Sequence, residues 1–143
     1  MIVVDTTVLV YAIGDEHPLK QPSLRLLDAV SSGRVAATTT VEVIQEFSHV
    51  HARRGRSRGE AVRHARRYMR ILAPLISPDP EVLDAGLDLY VHGKLGCFDA
   101  VLAATARREG ATLVSADGAF GAVDGLRHLD PASPSFLDDL GIA

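Results

Sequence analysis

The sequence predicts an α/β fold with a parallel sheet, and three observations carry that reading. Two short apolar runs, MIVVD at residues 1–5 and TLVSAD at 112–117, show no helical spacing, and each ends in a carboxylate. Segments with helical periodicity and recognisable caps lie between such runs. No hairpin signal joins one run to the next, so the strands must be linked by helical crossovers and therefore run parallel.

Taken in order, MIVVD reads as a buried strand. Pro18 sits in the first turn of a helix carrying Leu24, Leu26, Leu27 and Val30, and Gly33 stops it. RVAAT, residues 34–38, is a second strand. Thr39 to Glu42 spells a T-x-x-E capping box ahead of a helix with Val43, Ile44, Phe47 and Val50 on its apolar side, broken by Gly55. Ser57 to Glu60 spells another, S-x-x-E, opening a helix to about Ala73 with Val62, Ala65, Met69 and Leu72 on one face and Tyr68 as core or boundary packing. PLIS is a weak strand candidate. Asp79-Pro80 is an N-cap followed by proline at the first helical position, and that helix closes near Gly93. Residues 97–109 form a helix with Phe98, Val101, Leu102 and Thr105 on its apolar stripe and Gly110 as its stop.

The 143 residues suit one domain, 1–143, with a core that needs no staples. A single Cys excludes an internal disulfide and a Cys-based zinc finger. No apolar run reaches the roughly 18 residues of a membrane span, which points to the cytoplasm. A net charge of −3 argues at first against a nucleic-acid partner. The distribution reverses that inference. Residues 53–70 hold eight Arg against Glu60 alone, a local charge of +7, which leaves −10 for the rest of the chain.

Ligands of parallel sheets bind beyond the carboxyl ends of the strands, where Asp5 and Asp117 both fall. Each has a structural alternative: Asp5 as an N-cap, Asp117-Gly118 as a turn. Asp99, in the first turn of its helix, lies roughly 90° from the apolar centre and could face a cleft, or could simply complement the helix dipole. Of the two acids one helical turn apart, the capping box claims Glu42, at roughly 130° from the apolar centre, whereas Glu46 lies at roughly 90° and is free for function.

If Asp5, Glu46, Asp99 and Asp117 converge, their repulsion requires protonation or a cation, and hard oxygen donors suit Mg²⁺ or Mn²⁺. Metal-assisted phosphodiester hydrolysis is the implied chemistry. No G-x-G-x-x-G, P-loop, G-x-S-x-G or H-E-x-x-H motif competes, and His49, His51 and His64 read as surface or boundary residues. Position 7, where an aspartyl-phosphate enzyme would place a second Asp, holds Thr7. The Arg run, with Arg53, Arg54, Arg56, Arg58, Arg63, Arg66, Arg67 and Arg70, suits a polyanion or an acidic partner more than a merely solvated face.

MIVVDTTVLVYA, VIQEF, CFDAVLAATA and LVSADGAF followed by LDP resemble, in order and spacing from Met1 to about Pro131, the PIN-domain ribonucleases, in particular VapC-type toxins of bacterial toxin–antitoxin pairs. The resemblance implies an α/β/α sandwich and an Mg²⁺- or Mn²⁺-dependent endoribonuclease. It also implies a homodimer restrained by a VapB-type antitoxin. It maps the family's acids onto Asp5, Glu46, Asp99 and Asp117, and its supporting polar residues onto Thr6 and Ser115. Asp5, Asp99 and Asp117 would hold the metal, with Glu46 a ligand or an orienter of the attacking water. Many relatives carry a further acid after the last Asp, where this chain has Gly118 and Ala119. Arg53, Arg54, Arg56, Arg63, Arg66, Arg67 and Arg70 would contact RNA or antitoxin. A catalytically silent RNA- or protein-binding module and a DNA-directed nuclease are the alternatives that sequence leaves open.

Overall fold

The computed structural model describes residues 1–143. Four parallel strands, β1 (Ile2–Val4), β2 (Ala37–Thr38), β3 (Thr112–Val114) and β4 (Arg127–Leu129), form one sheet in the order β2-β1-β3-β4. Side chains alternate between faces along a strand, yet Ile2, Val3 and Val4 are all buried, so helices cover both faces of β1. Seven helices do this: α1 (Thr6–Ile13), α2 (Lys20–Ser31), α3 (Val41–Arg53), α4 (Arg58–Ile71), α5 (Pro80–His92), α6 (Cys97–Arg108) and α7 (Phe136–Asp139). The predicted three-layer α/β/α sandwich is the observed architecture. Its core is a single cluster of 28 buried residues centred on β1, β3, α1 and α6.

The order of the strands places the site. From β1 the chain crosses to β2 on one side and later returns to β3 on the other, so the crossovers diverge between β1 and β3. That divergence opens a crevice at the carboxyl ends of the two central strands. Asp5 follows β1 directly, and Ser115 and Asp117 follow β3.

Most predicted boundaries hold. Ser57 and Glu60 form the complete capping box of α4, Asp79 caps α5 with Pro80 behind it, and Gly33 and Gly110 carry the positive φ that ends α2 and α6. Several expectations are corrected. The cap of α3 is Thr40, whose side chain accepts the Val43 N–H, because Thr39 Oγ1 is committed to the Val4 carbonyl at 2.6 Å. Glu42 therefore has no capping-box role. Pro18 precedes α2, which starts at Lys20. PLIS contributes only an isolated bridge between Ile76 and Thr40.

Two helices bury a stripe displaced from the one predicted. On α4, Ala61, Ala65 and Tyr68 face inward with Leu72, while Val62 and Met69 are exposed. On α6, Ala100, Leu102, Ala103, Ala104, Thr105 and Ala106 are buried, and Phe98 stands 78% exposed. Alanines let α6 approach its neighbours closely, as Gly86 of α5 shows: a Cβ there would lie 2.8 Å from the Val101 backbone. His51, expected at the boundary, is buried between Phe47 and His64.

Candidate active site

Asp5 is only 4% exposed and occupies the N-cap position of α1, but its carboxylate makes no capping bond. Oδ2 instead accepts the Ser115 hydroxyl at 2.6 Å and the Thr7 hydroxyl at 3.1 Å. The Ser115 oxygen in turn accepts the Asp117 N–H at 3.0 Å, and the Thr7 oxygen accepts the Ala116 N–H at 3.2 Å. These bonds tie the segment after β1 to the segment after β3. Hydroxyl donors directed at one carboxylate oxygen fix its orientation.

Glu46 approaches from α3 and is held by Thr6 Oγ1, which donates to its Oε2 at 2.8 Å. Asp117 caps the short 3₁₀ turn Gly118–Ala122 through the Ala119 N–H, so its turn-forming role and its place in the site coexist. Asp99 enters from the first turn of α6. Burial, reinforced by the charges of Asp5, Glu46 and Asp117, pushes its pKa up to about 6.

All four predicted carboxylates line one cavity of about 190 Å³, together with Thr6, Thr7, Val10, Tyr11, Val50 and Arg54. As they stand, no three of the side chains gather tightly enough to chelate a single ion. The fit to a metal therefore rests on donor chemistry. An all-oxygen wall of four carboxylates, three of which disfavour the charge of the fourth, Asp99, suits a hard divalent cation.

Sequence reasoning missed Thr7 and Tyr11, and it named Arg54 only within the Arg run, not as a neighbour of the carboxylates. Thr7 had a usable signal, since its hydroxyl is one of two polar groups directly after the strand-end acid. Tyr11 lies in the second turn of α1, where no motif marks it, and Arg54 lies two turns beyond Glu46, where the Arg run gives no sign of the carboxylates. His128 also supports the site from β4, its Nε2–H donating to the Ser115 carbonyl at 2.8 Å.

The Arg run divides in space. Arg54, where α3 ends, lines the carboxylate cavity and, with Arg56, an adjoining one. Arg63, Arg66, Arg67 and Arg70 are exposed on α4 and line neither the carboxylate cavity nor the one adjoining it. Arg53 and Arg58 are likewise exposed.

Residues 2–126 match the PIN domain family. The chain is 48% identical over 145 residues to Ribonuclease VapC7 of Mycobacterium tuberculosis, with 99% of each chain covered. It is 29% identical over 115 residues to Ribonuclease VapC23 of the same species, covering 80% of this chain and 90% of that one. Among solved structures, FitAcB from Neisseria gonorrhoeae superposes with a TM-score of 0.73 at 18% identity, covering 92% of this chain and 98% of that one. VapC20 of Mycobacterium tuberculosis, described as a sarcin-ricin loop cleaving toxin, gives 0.71 at 19% identity, covering 85% and 94%. At these identities the structural matches bear on the fold, whereas the sequence matches bear on kinship. This chain belongs to the PIN domain family and, within it, to the VapC ribonucleases.

Proposed function

We propose that the carboxylate cavity hydrolyses RNA phosphodiesters with Mg²⁺ or Mn²⁺, held by Asp5, Asp99 and Asp117, and that the chain is the toxin of a VapBC-type pair. The observation that carries this reading is the meeting of four carboxylates from four separate segments on one cavity wall. When bound, a divalent cation supplies charge stabilisation to a phosphoryl oxygen and acidifies water. The chain's own residues do the positioning. Ser115 and Thr7 hold Asp5 in a single orientation, and Thr6 occupies Oε2 of Glu46, leaving Oε1 to orient the attacking water and accept its proton.

The groove between α1, α2 and α4, about 290 Å³ and lined by Ala12, Leu27, Tyr68 and Ile71 with Arg67 at its side, suits an apolar antitoxin segment. The guanidinium face of α4 would take up acidic residues flanking that segment. Exposed Leu83, Leu87, Tyr90 and Val91 on α5 suit a homodimer contact. No helix is long and apolar enough to cross a membrane, and an RNA substrate accords with a cytoplasmic site of action.

Incubating the protein with RNA in Mg²⁺ or Mn²⁺, then with chelator, tests the reading. Cleavage is expected only with the cation and is expected to fall sharply in Asp5→Asn and Asp99→Asn. Full activity in either variant would overturn the assignment.

A further inference from the structure

Arg54 stands where two cavities meet. It lines the carboxylate cavity and also an adjoining one of about 110 Å³ bordered by Gly14, Asp15, His17, His51 and Arg56. Val10 and Tyr11 belong to both walls, so the two lie side by side. Glu46, Val50 and Arg54 follow at i, i+4 and i+8, which sets Arg54 about 12 Å along α3 from the acid at the metal end.

Arg54 is the sole cation among the ten residues lining the carboxylate cavity. In the adjoining cavity the acids are already paired, Asp15 with Arg56 at 3.5 Å and Glu16 with Lys20 at 3.3 Å. Arg54 is exposed and takes part in none of the ion pairs of the molecule. A residue present only to neutralise the acids beside it would be paired with one. His17 offers a second donor. Its Nδ1 accepts the Leu19 N–H at 3.1 Å, which leaves the proton of the neutral ring on Nε2, and the ring is stacked on Tyr11 at 4.3 Å.

An RNA strand approaching four carboxylates is repelled by them, and an unpaired guanidinium on the same cavity wall offsets that repulsion. We infer that the cavity bordered by Arg54, His17 and Arg56 is a subsite for the RNA phosphate next to the scissile one, with Arg54 its principal contact. This rests on the nuclease reading above. The arginines of α4 lie outside both cavities and do not take this role.

The test compares wild type, Arg54→Gln and Arg54→Lys on a labelled single-stranded RNA oligonucleotide with Mn²⁺. Arg34→Gln, in the connection between α2 and β2 and outside both cavities, is the control, and thermal melting verifies that each variant folds. Arg54→Gln should raise KM about tenfold with kcat within about twofold, and should reduce the salt dependence of binding by about one phosphate contact. Arg54→Lys should recover part of the loss. Replacing the phosphate beside the cleaved bond with a neutral methylphosphonate should weaken wild type and leave Arg54→Gln unaffected. Arg54→Gln matching Arg34→Gln in KM and salt slope would overturn the subsite. Wild type assayed with Mn²⁺ and with chelator separates the two levels: if it cleaves in neither, the nuclease reading fails and the subsite falls with it.

Discussion

Asp5 and Arg66 illustrate two ways in which this chain carries charge. Asp5 is buried at the end of a central strand, with one oxygen held by two hydroxyls that are themselves anchored to backbone N–H groups. Arg66 is one of several exposed guanidinium groups on α4 and makes no ion pair. The first is a fixed position whose neighbours determine its geometry. The second contributes to a field that many residues share. Effects at the cleft should therefore be large and specific to a side chain, whereas effects on α4 should be small and cumulative.

The sharpest way to break that contrast is Asp5→Asn. It preserves shape and replaces a carboxylate by an amide, so RNA cleavage should fall on the order of 100-fold or more. Arg66→Gln should leave cleavage within about twofold. Comparable losses in the two variants would show that the cleft and α4 do not differ in kind.

Ser115→Ala comes next. It removes the 2.6 Å bond to Asp5 and the acceptor for the Asp117 N–H, and so loosens two site residues together. Removing such an orienting partner costs about 10- to 100-fold in metal affinity or activity. Mn²⁺ titration followed by melting should show weaker binding, and Ser115→Thr should restore part of it. Unchanged Mn²⁺ affinity in Ser115→Ala would mean that Asp5 needs no such support.

On α4, pairing Arg66→Gln with Arg70→Gln should weaken antitoxin binding several-fold in low salt and little in high salt. Calorimetric titration with the cognate antitoxin measures this. A salt-independent loss would instead indicate direct, desolvated contacts.

The site was more legible in the sequence than the packing, for physical reasons. Asp5 and Asp117 follow apolar strands, and a parallel sheet brings strand ends to one edge. Glu46 was separated from Glu42 by a capping box at Thr39 that does not form, so its place in the cavity owes more to the path of α3 than to that argument. The buried stripes of α4 and α6 were misplaced because they consist largely of Ala, with Tyr68. Hydrophobic weighting favours Val62, Met69 and Phe98, whereas close helix packing selects small side chains. β4, with sequence RHL at the sheet edge, is too short and too polar to show as a strand.

The smallest expected effect concerns Asp99 and separates its charge from its catalysis. Burial, then the neighbouring carboxylates, raises its pKa from 3.8 to about 6, so the fold favours the protonated acid. Unlike a salt-bridged carboxylate, it therefore costs stability once ionised: its contribution is most favourable below pH 4 and is lost as pH rises to about 6. Asp99→Asn mimics the protonated acid at every pH. In chelator at pH 7 it should melt about 3 °C above wild type, corresponding to about 1 kcal/mol after solvent screening. The gap should close below pH 4, where wild type is protonated, and should shrink or reverse at pH 7 with saturating Mn²⁺, which stabilises the ionised cluster. A variant that melts with wild type across the whole range in chelator would show that neither burial nor the neighbouring acids disfavour ionised Asp99. The case for a cation among them would then lose its electrostatic basis.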